Sequence, residues 1–157
     1  MRGRVRKVIF PVGCMGTRFL PANIALPKER LPIVYKPLIQ YAVDEAIEAG
    51  AEDFIFVTGR GKSAIEDHFD HSFELQNMLC GRKKLDTLEI AASIMPPAGS
   101  IASTRQQELL GQGHAVWCAR HLVGNKIFAV LLADDLIKSE TSCLKQMADA
   151  RPEPAST

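Results

Sequence analysis

The sequence predicts an α/β fold, a doubly wound, mostly parallel sheet with helices on both faces. Two observations carry this. Short apolar runs recur at 8–12, 54–57, 101–104 and 128–132, and stretches of helical character separate them. Strands joined through helices pair in parallel, and such sheets are covered by helices. In a doubly wound sheet ligands bind beyond the carboxyl ends of the strands. The residues just after each strand are therefore the ones to read for function.

The elements follow in order. Residues 8–12, Val-Ile-Phe-Pro-Val, read as a buried strand. Residues 37–49 carry Leu38, Ile39, Ala42, Val43, Ala46 and Ile47 at helical spacing. Pro37 suits the first helical turn and Gly50 the position past the helix end. Residues 54–57 form a second strand, and 63–69 a helix opened by a capping box of Ser63 and Glu66. Residues 73–94 read as an amphipathic helical stretch, broken near Gly81 and stopped by Pro96-Pro97. A short strand follows at 101–104, then a helix over 114–122 with Gly113 before it. The strand at 128–132 runs into Asp134-Asp135, and a last helix covers 140–150. Residues 1–150 are expected to form one domain and 151–157 a disordered tail. No repeat or low-complexity block is present.

Charge and composition exclude several classes. Nineteen basic and 18 acidic residues leave a formal net charge of +1 in 157 residues, without the basic surplus of a nucleic-acid binder. No apolar run reaches the roughly 18 residues of a membrane helix. The basic start, Arg2, Arg4, Arg6 and Lys7, leads into no signal-peptide pattern, so a cytoplasmic chain is expected. Cys14, Cys80, Cys118 and Cys143 are scattered, as reduced thiols are.

The segment 13–36 is the most informative. It joins a strand to a helix, yet far exceeds the ~2–6 residues usual for such loops. It carries Gly13 and Gly16, prolines 21, 27 and 32, and the cations Arg18, Lys28 and Lys36. Glycines let backbone N–H groups approach an anion, and Arg18 and Lys28 offer charge to phosphates. A solvated surface loop is the competing reading, against which the prolines argue for order. The dinucleotide fingerprint fits poorly, since Phe19 stands at the third glycine position, and the Walker A pattern is absent.

Longer motifs point further. Pro11-Val12-Gly13-Cys14-Met15-Gly16-Thr17-Arg18-Phe19-Leu20-Pro21 is followed by Pro27-Lys28-Glu29-Arg30-Leu31-Pro32 and by Lys36-Pro37-Leu38-Ile39-Gln40-Tyr41. Next come Phe56-Val57-Thr58-Gly59-Arg60-Gly61-Lys62, Ile65-Glu66-Asp67-His68-Phe69-Asp70, Arg105-Gln106-Gln107, Gly111-Gln112-Gly113-His114 and Leu131-Leu132-Ala133-Asp134-Asp135. Taken in order over about residues 5–138, this resembles the bacterial UTP–glucose-1-phosphate uridylyltransferases.

The resemblance implies transfer of a uridylyl group from UTP to glucose 1-phosphate with Mg²⁺, giving UDP-glucose and pyrophosphate. The attacking sugar phosphate is already an anion, so the work is positioning and charge neutralisation. By position, Gly13, Gly16, Thr17 and Arg18 are implied to hold the triphosphate, and Lys28 to neutralise the leaving pyrophosphate. Gln106 and Gly111 are implied to read uracil, Gly113 to allow close approach at a helix start, and Asp134 to ligate Mg²⁺. Asp135 is either a second contact or a solvated neighbour. The implied partners are UTP and glucose 1-phosphate, with no nucleic acid and no membrane.

This sequence departs from the family pattern at Gly13-Cys14 for Ala-Gly, Ile24 for Lys, Arg30 for Met, Tyr35 for Asp, Ala133 for Pro, and Leu109-Leu110. Members of the family run well past residue 157. The expectation is a nucleotide half-site with impaired or absent transferase activity, self-associating or joining a full-length homologue. A non-catalytic UTP-binding module and a transferase using another base or sugar phosphate are the alternatives. His114, Cys118 and His121 share a helical face that is expected to pack on the sheet rather than bind metal, and Trp117 is expected in the core. His68 and His71 read as solvated, and Arg82, Lys83 and Lys84 as a solvated face.

Overall fold

A computed structural model of the chain describes residues 4–13, 28–34, 36–70, 78 and 95–150. Among these residues four strands make the main sheet: β1 (Lys7–Pro11), β4 (Asp53–Thr58), β5 (Ile101–Arg105) and β6 (Phe128–Val130). Their order is β5-β4-β1-β6 and every pairing is parallel. The chain steps outward from β1 through β4 to β5, then returns to β1's other side for β6. The order therefore reverses at β1 and β6, and their carboxyl ends frame the crevice such sheets use for ligands.

Both faces of the sheet are covered. Val8, Phe10, Val12, Phe54 and Phe56 point to one face and pack against Ile39, Ala42, Val43 and Ala46 of α1 (Leu38–Glu48). Leu144 of α5 (Cys143–Ala150) joins the same cluster. Ile9, Ile55 and Val57 point to the other face and meet Ala115, Ala119 and Val123. These belong to α3 (Gln112–Cys118), α4 (Arg120–Val123) and the residue between them. The alternation along β1 is the period-two geometry of a strand buried on both sides. Helix α1 ends where expected: Gly50, at φ +87, donates to Ile47 O, and Ala51 N donates to Ala46 O. This closes the last carbonyls in a Schellman arrangement.

Several expectations need correction. The strands are shifted or shortened by a few residues: the first runs Lys7–Pro11, and the last stops at Val130, though Leu131 N still bonds Ile9 O. Pro37 is the N-cap of α1 rather than its first turn. Helix α2 (Ser63–His68) has Lys62 at its N-cap and no side-chain capping bond, so the Ser63–Glu66 box does not form. The helix expected over 114–122 begins earlier, at Gln112, and divides at Ala119. Helix α5 begins at Cys143, not 140, because glutamates of α1 serve its start: Glu45 Oε1 accepts from Leu144 N and Glu48 Oε1 from Ser142 N. Trp117 is not core. It is 56% exposed, with the Arg120 guanidinium stacked 3.5 Å from its ring centre. The face of this region that packs on the sheet is centred on 115, 119 and 123; Cys118 packs at its edge as expected, whereas His114 is half-buried and His121 is exposed.

The long connection after β1 is also not a plain loop. It contains a 3-10 turn (Lys28–Arg30) and a two-residue antiparallel pair, β2 (Pro32–Ile33) with β3 (Lys36–Pro37). Val34 at their turn has φ +63, a left-handed conformation that costs a residue with a Cβ about 1–2 kcal/mol. The stretch expected to be helical over 73–94, apart from Met78, and the tail 151–157 lie outside the described residues. Among the described residues no helix is long and apolar enough to cross a membrane.

A partly buried polar chain links α1 to α2. Lys36 Nζ meets Asp44 Oδ2, and Gln40, fully buried, donates from Nε2 to Asp44 Oδ1 at 2.8 Å. Gln40 Oε1 lies 3.0 Å from His68 Nε2, so His68 is half-buried and bonded rather than solvated. Burial first, then the charge of Arg30, holds His68 below the ordinary imidazole value of 6.5. The unfolded chain therefore takes up this proton first. The contribution to stability is full above the unfolded value and is lost as pH falls through the folded one. The urea denaturation midpoint should decrease as pH is lowered below 6.5, less steeply for His68→Gln; equal slopes in urea titrations would exclude His68 as the source.

Candidate functional site

The cleft at the strand ends is assembled from five parts of the chain. Pro11 and Gly13 come from the end of β1, and Gln106 from just past β5. Leu109, Gly111, Gln112 and Ala115 come from the turn into α3 and its first turn, and Leu132 and Asp134 from the segment after β6. Lys28 enters from the 3-10 turn. Together these residues enclose about 410 Å³.

Lys28 and Asp134 are the charged residues of this lining. They lie 106 positions apart in sequence, and Lys28 Nζ donates to Asp134 Oδ2 at 2.6 Å. Their side chains are 9% and 21% exposed, so the pair is largely desolvated and its attraction is little screened. The turn carrying Lys28 is held by Leu31 N to Lys28 O and Leu38 N to Leu31 O, which tie it to the start of α1. Asp134 follows Ala133, which is buried in the core cluster and anchors this segment.

Gln106 is buried, and its position is set at both ends. Its backbone N–H continues the ladder to Thr58 O at 2.9 Å, and its Nε2 donates to Gly111 O at 3.0 Å. His114 Nδ1 lies 3.1 Å from the same Nε2. Gly111 is the N-cap of α3 with φ +90, a conformation that disfavours any side chain. Gly13 meets Gly59 instead: a Cβ on Gly59 would stand 2.9 Å from Gly13 O, so the turns after β1 and β4 pack backbone to backbone.

The sequence-predicted residues thus divide. Gly13, Lys28, Gln106, Gly111 and Asp134 converge on one cleft. Gly113 is an exposed residue within α3 and does not line it; the glycine before that helix is Gly111. Gly16, Thr17 and Arg18 lie outside the described residues, as does Cys14. Asp135 is exposed and faces a different groove, with Cys143 and Leu144. Sequence reasoning gave no role to Gln112 and noted Leu109 only as a departure from the family pattern; both line the cleft. It also passed over Glu29 and Lys62, although each stands inside a quoted motif.

The donor chemistry suits a hard cation. Among the described residues the cleft presents a carboxylate oxygen, already met by an ammonium, and no thiolate or imidazole. Among the described residues no group of three or more His, Cys, Asp or Glu side chains could hold a metal by itself. A cation here would take Asp134 and complete its shell from a ligand's phosphates.

The model of the family described as nucleotidyl transferase matches residues 7–156. The chain belongs to the nucleotidyl transferase family. This nucleotidyl transferase chain is 53% identical over 146 residues to the UTP--glucose-1-phosphate uridylyltransferase of Bacillus subtilis (strain 168), covering 93% of itself and 50% of that protein. It is 45% identical over 145 residues to the protein of the same name from Komagataeibacter xylinus, covering 92% of itself and 51% of that protein. Among solved structures it superposes on UTP-bound UGPase from Acinetobacter baumannii with TM-score 0.87 and 44% identity, covering 92% of this chain and 52% of that one. A UDP-glucose pyrophosphorylase complexed with UDP-glucose matches with TM-score 0.74 and 44% identity, over 92% of this chain and 52% of that one. The nucleotidyl transferase chain spans about half the length of the curated relatives it matches.

Proposed function

We infer that residues 1–150 act as one nucleotide-binding unit that takes UTP, the uridylyl donor for glucose 1-phosphate. The observation that carries this reading is the Lys28–Asp134 pair, a cation and a carboxylate 2.6 Å apart in the crevice where the strand order reverses. In the full reaction a phosphate oxygen of glucose 1-phosphate attacks the α-phosphorus of UTP, the bond to the β-phosphate oxygen breaks, and UDP-glucose and pyrophosphate result. In this reading Lys28 offsets the charge that builds on the departing pyrophosphate. Mg²⁺, held by Asp134, would supply further neutralisation of the phosphates. Gly13 lines the cleft, and the likeness to the uridylyltransferases assigns Gly16, Thr17 and Arg18 to the triphosphate. The amide nitrogen of Gln106 is committed to Gly111 O, so its carbonyl oxygen is the acceptor for the uracil imide N–H. A cytoplasmic setting, where UTP is made and used, agrees with this role.

Isothermal titration with magnesium-loaded UTP tests the reading. Measurable heat is expected with UTP and dTTP, which share the imide, and much less with CTP and ATP, which lack it. No heat with UTP would end the proposal. The alternative reading is a UTP-binding module without turnover. An assay of UDP-glucose formation separates the two: turnover close to that of a full-length relative would exclude the second.

A further inference from the structure

Lys28, Glu29 and Arg30 occupy one 3-10 turn, and each is tied to a different part of the molecule. Lys28 reaches Asp134 across the cleft. Arg30 Nη1 donates to Ala64 O at 2.8 Å, in the first turn of α2. Glu29 points inward, and its Oε2 accepts from Lys62 Nζ at 3.0 Å. The two side chains are 1% and 11% exposed. The second oxygen of Glu29, Oε1, is buried with no hydrogen-bond partner among the described residues.

Neither Glu29 nor Lys62 lines the cleft. A buried ion pair is a weak source of net stability, because the loss of hydration offsets the attraction and an apolar pair serves as well. An ion pair does fix direction, since a charge left without its partner in the interior is costly. The turn spans three residues, so a rotation that moved Glu29 off Lys62 would also swing Lys28 out of the cleft. We propose that the Glu29–Lys62 pair is a positioning device, locking the turn so that the Lys28 ammonium stays aimed at Asp134 and at the phosphates of a bound nucleotide. This rests on the reading of the cleft as a UTP site.

The test compares Mg-UTP with UMP. Both bind through the base, and only the first presents the β and γ phosphates to Lys28. The double variant Glu29→Gln/Lys62→Met removes both charges at similar volume and strands neither. Its UTP affinity should fall about tenfold and its UMP affinity less than twofold, because only charge-dependent contacts are misaimed. Lys62→Arg, which keeps the charge, should retain the wild-type ratio of the two affinities. A purely structural pair would lower both affinities together or lower the melting temperature alone. If the double variant does not fold, Glu29→Gln alone, which preserves an oxygen for Lys62, is read by the same ratio. A variant that keeps the wild-type UTP-to-UMP ratio overturns the positioning role while leaving the UTP site standing. A wild-type chain that binds neither nucleotide overturns the site and this proposal with it.

Discussion

Lys28→Met should lower affinity for magnesium-loaded UTP by about a hundredfold, equivalent to ~2.7 kcal/mol, and leave uridine binding unchanged. The methionine keeps the apolar stem, so what is lost is the ammonium. That ammonium lies 2.6 Å from a carboxylate in a largely desolvated cleft, where a charge interacts more strongly than in water. The effect should be confined to ligands that carry phosphates. Lys145→Met is the control: Lys145 sits on α5 in an exposed pair with Asp149 at 3.8 Å, and its loss should leave UTP affinity unchanged. Calorimetry with UTP and uridine reads both. Equal affinities for UTP in Lys28→Met and wild type would remove Lys28 from the site.

Phe10→Ala should destabilise the fold by about 3–5 kcal/mol, a large fraction of the ~5–15 kcal/mol typical of a domain. Phe10 lies on β1, the strand flanked by β4 and β6, and is fully buried. It pairs in register with Phe56, their ring centres 5.1 Å apart, and stacks on Phe54 at 6.5 Å. Phe56 in turn stacks on Phe69 at 5.3 Å, so truncation opens a cavity in the middle of a continuous row of rings. Little backbone can move to fill it, because β1 is hydrogen-bonded on both sides. Phe128→Ala, on edge strand β6 and 40% exposed, should cost under about 1.5 kcal/mol, since less area is lost and no closed cavity forms. Urea denaturation of the two variants compares them directly. A loss for Phe10→Ala no larger than that for Phe128→Ala would contradict this account of the core.

Local chemistry was legible in the sequence where one short segment decides it. The apolar runs at β1 and β4 could only be buried strands, and the spacing of Leu38, Ile39, Ala42, Val43 and Ala46 could only be one helix face. Gly50 ends that helix because a left-handed residue is needed there. The alternation of strand and helix implied parallel pairing, hence a crevice at the strand ends, and the motifs around Lys28, Gln106 and Asp134 marked what fills it. What needed the tertiary structure were the contacts between distant segments. The start of α5 is set by Glu45 and Glu48, nearly a hundred residues earlier, and not by its own sequence. Trp117 is as apolar as a core residue, yet the four-residue spacing of 115, 119 and 123 turns it outward. Asp134 and Asp135 are chemically equivalent neighbours, and only the turn after β6 aims one at Lys28 and the other at a separate groove. Glu29 reads as one more surface carboxylate until the fold buries it against Lys62. Burial and pairing depend on which chain segments meet, and that is decided by packing the whole sheet, not by any stretch of it.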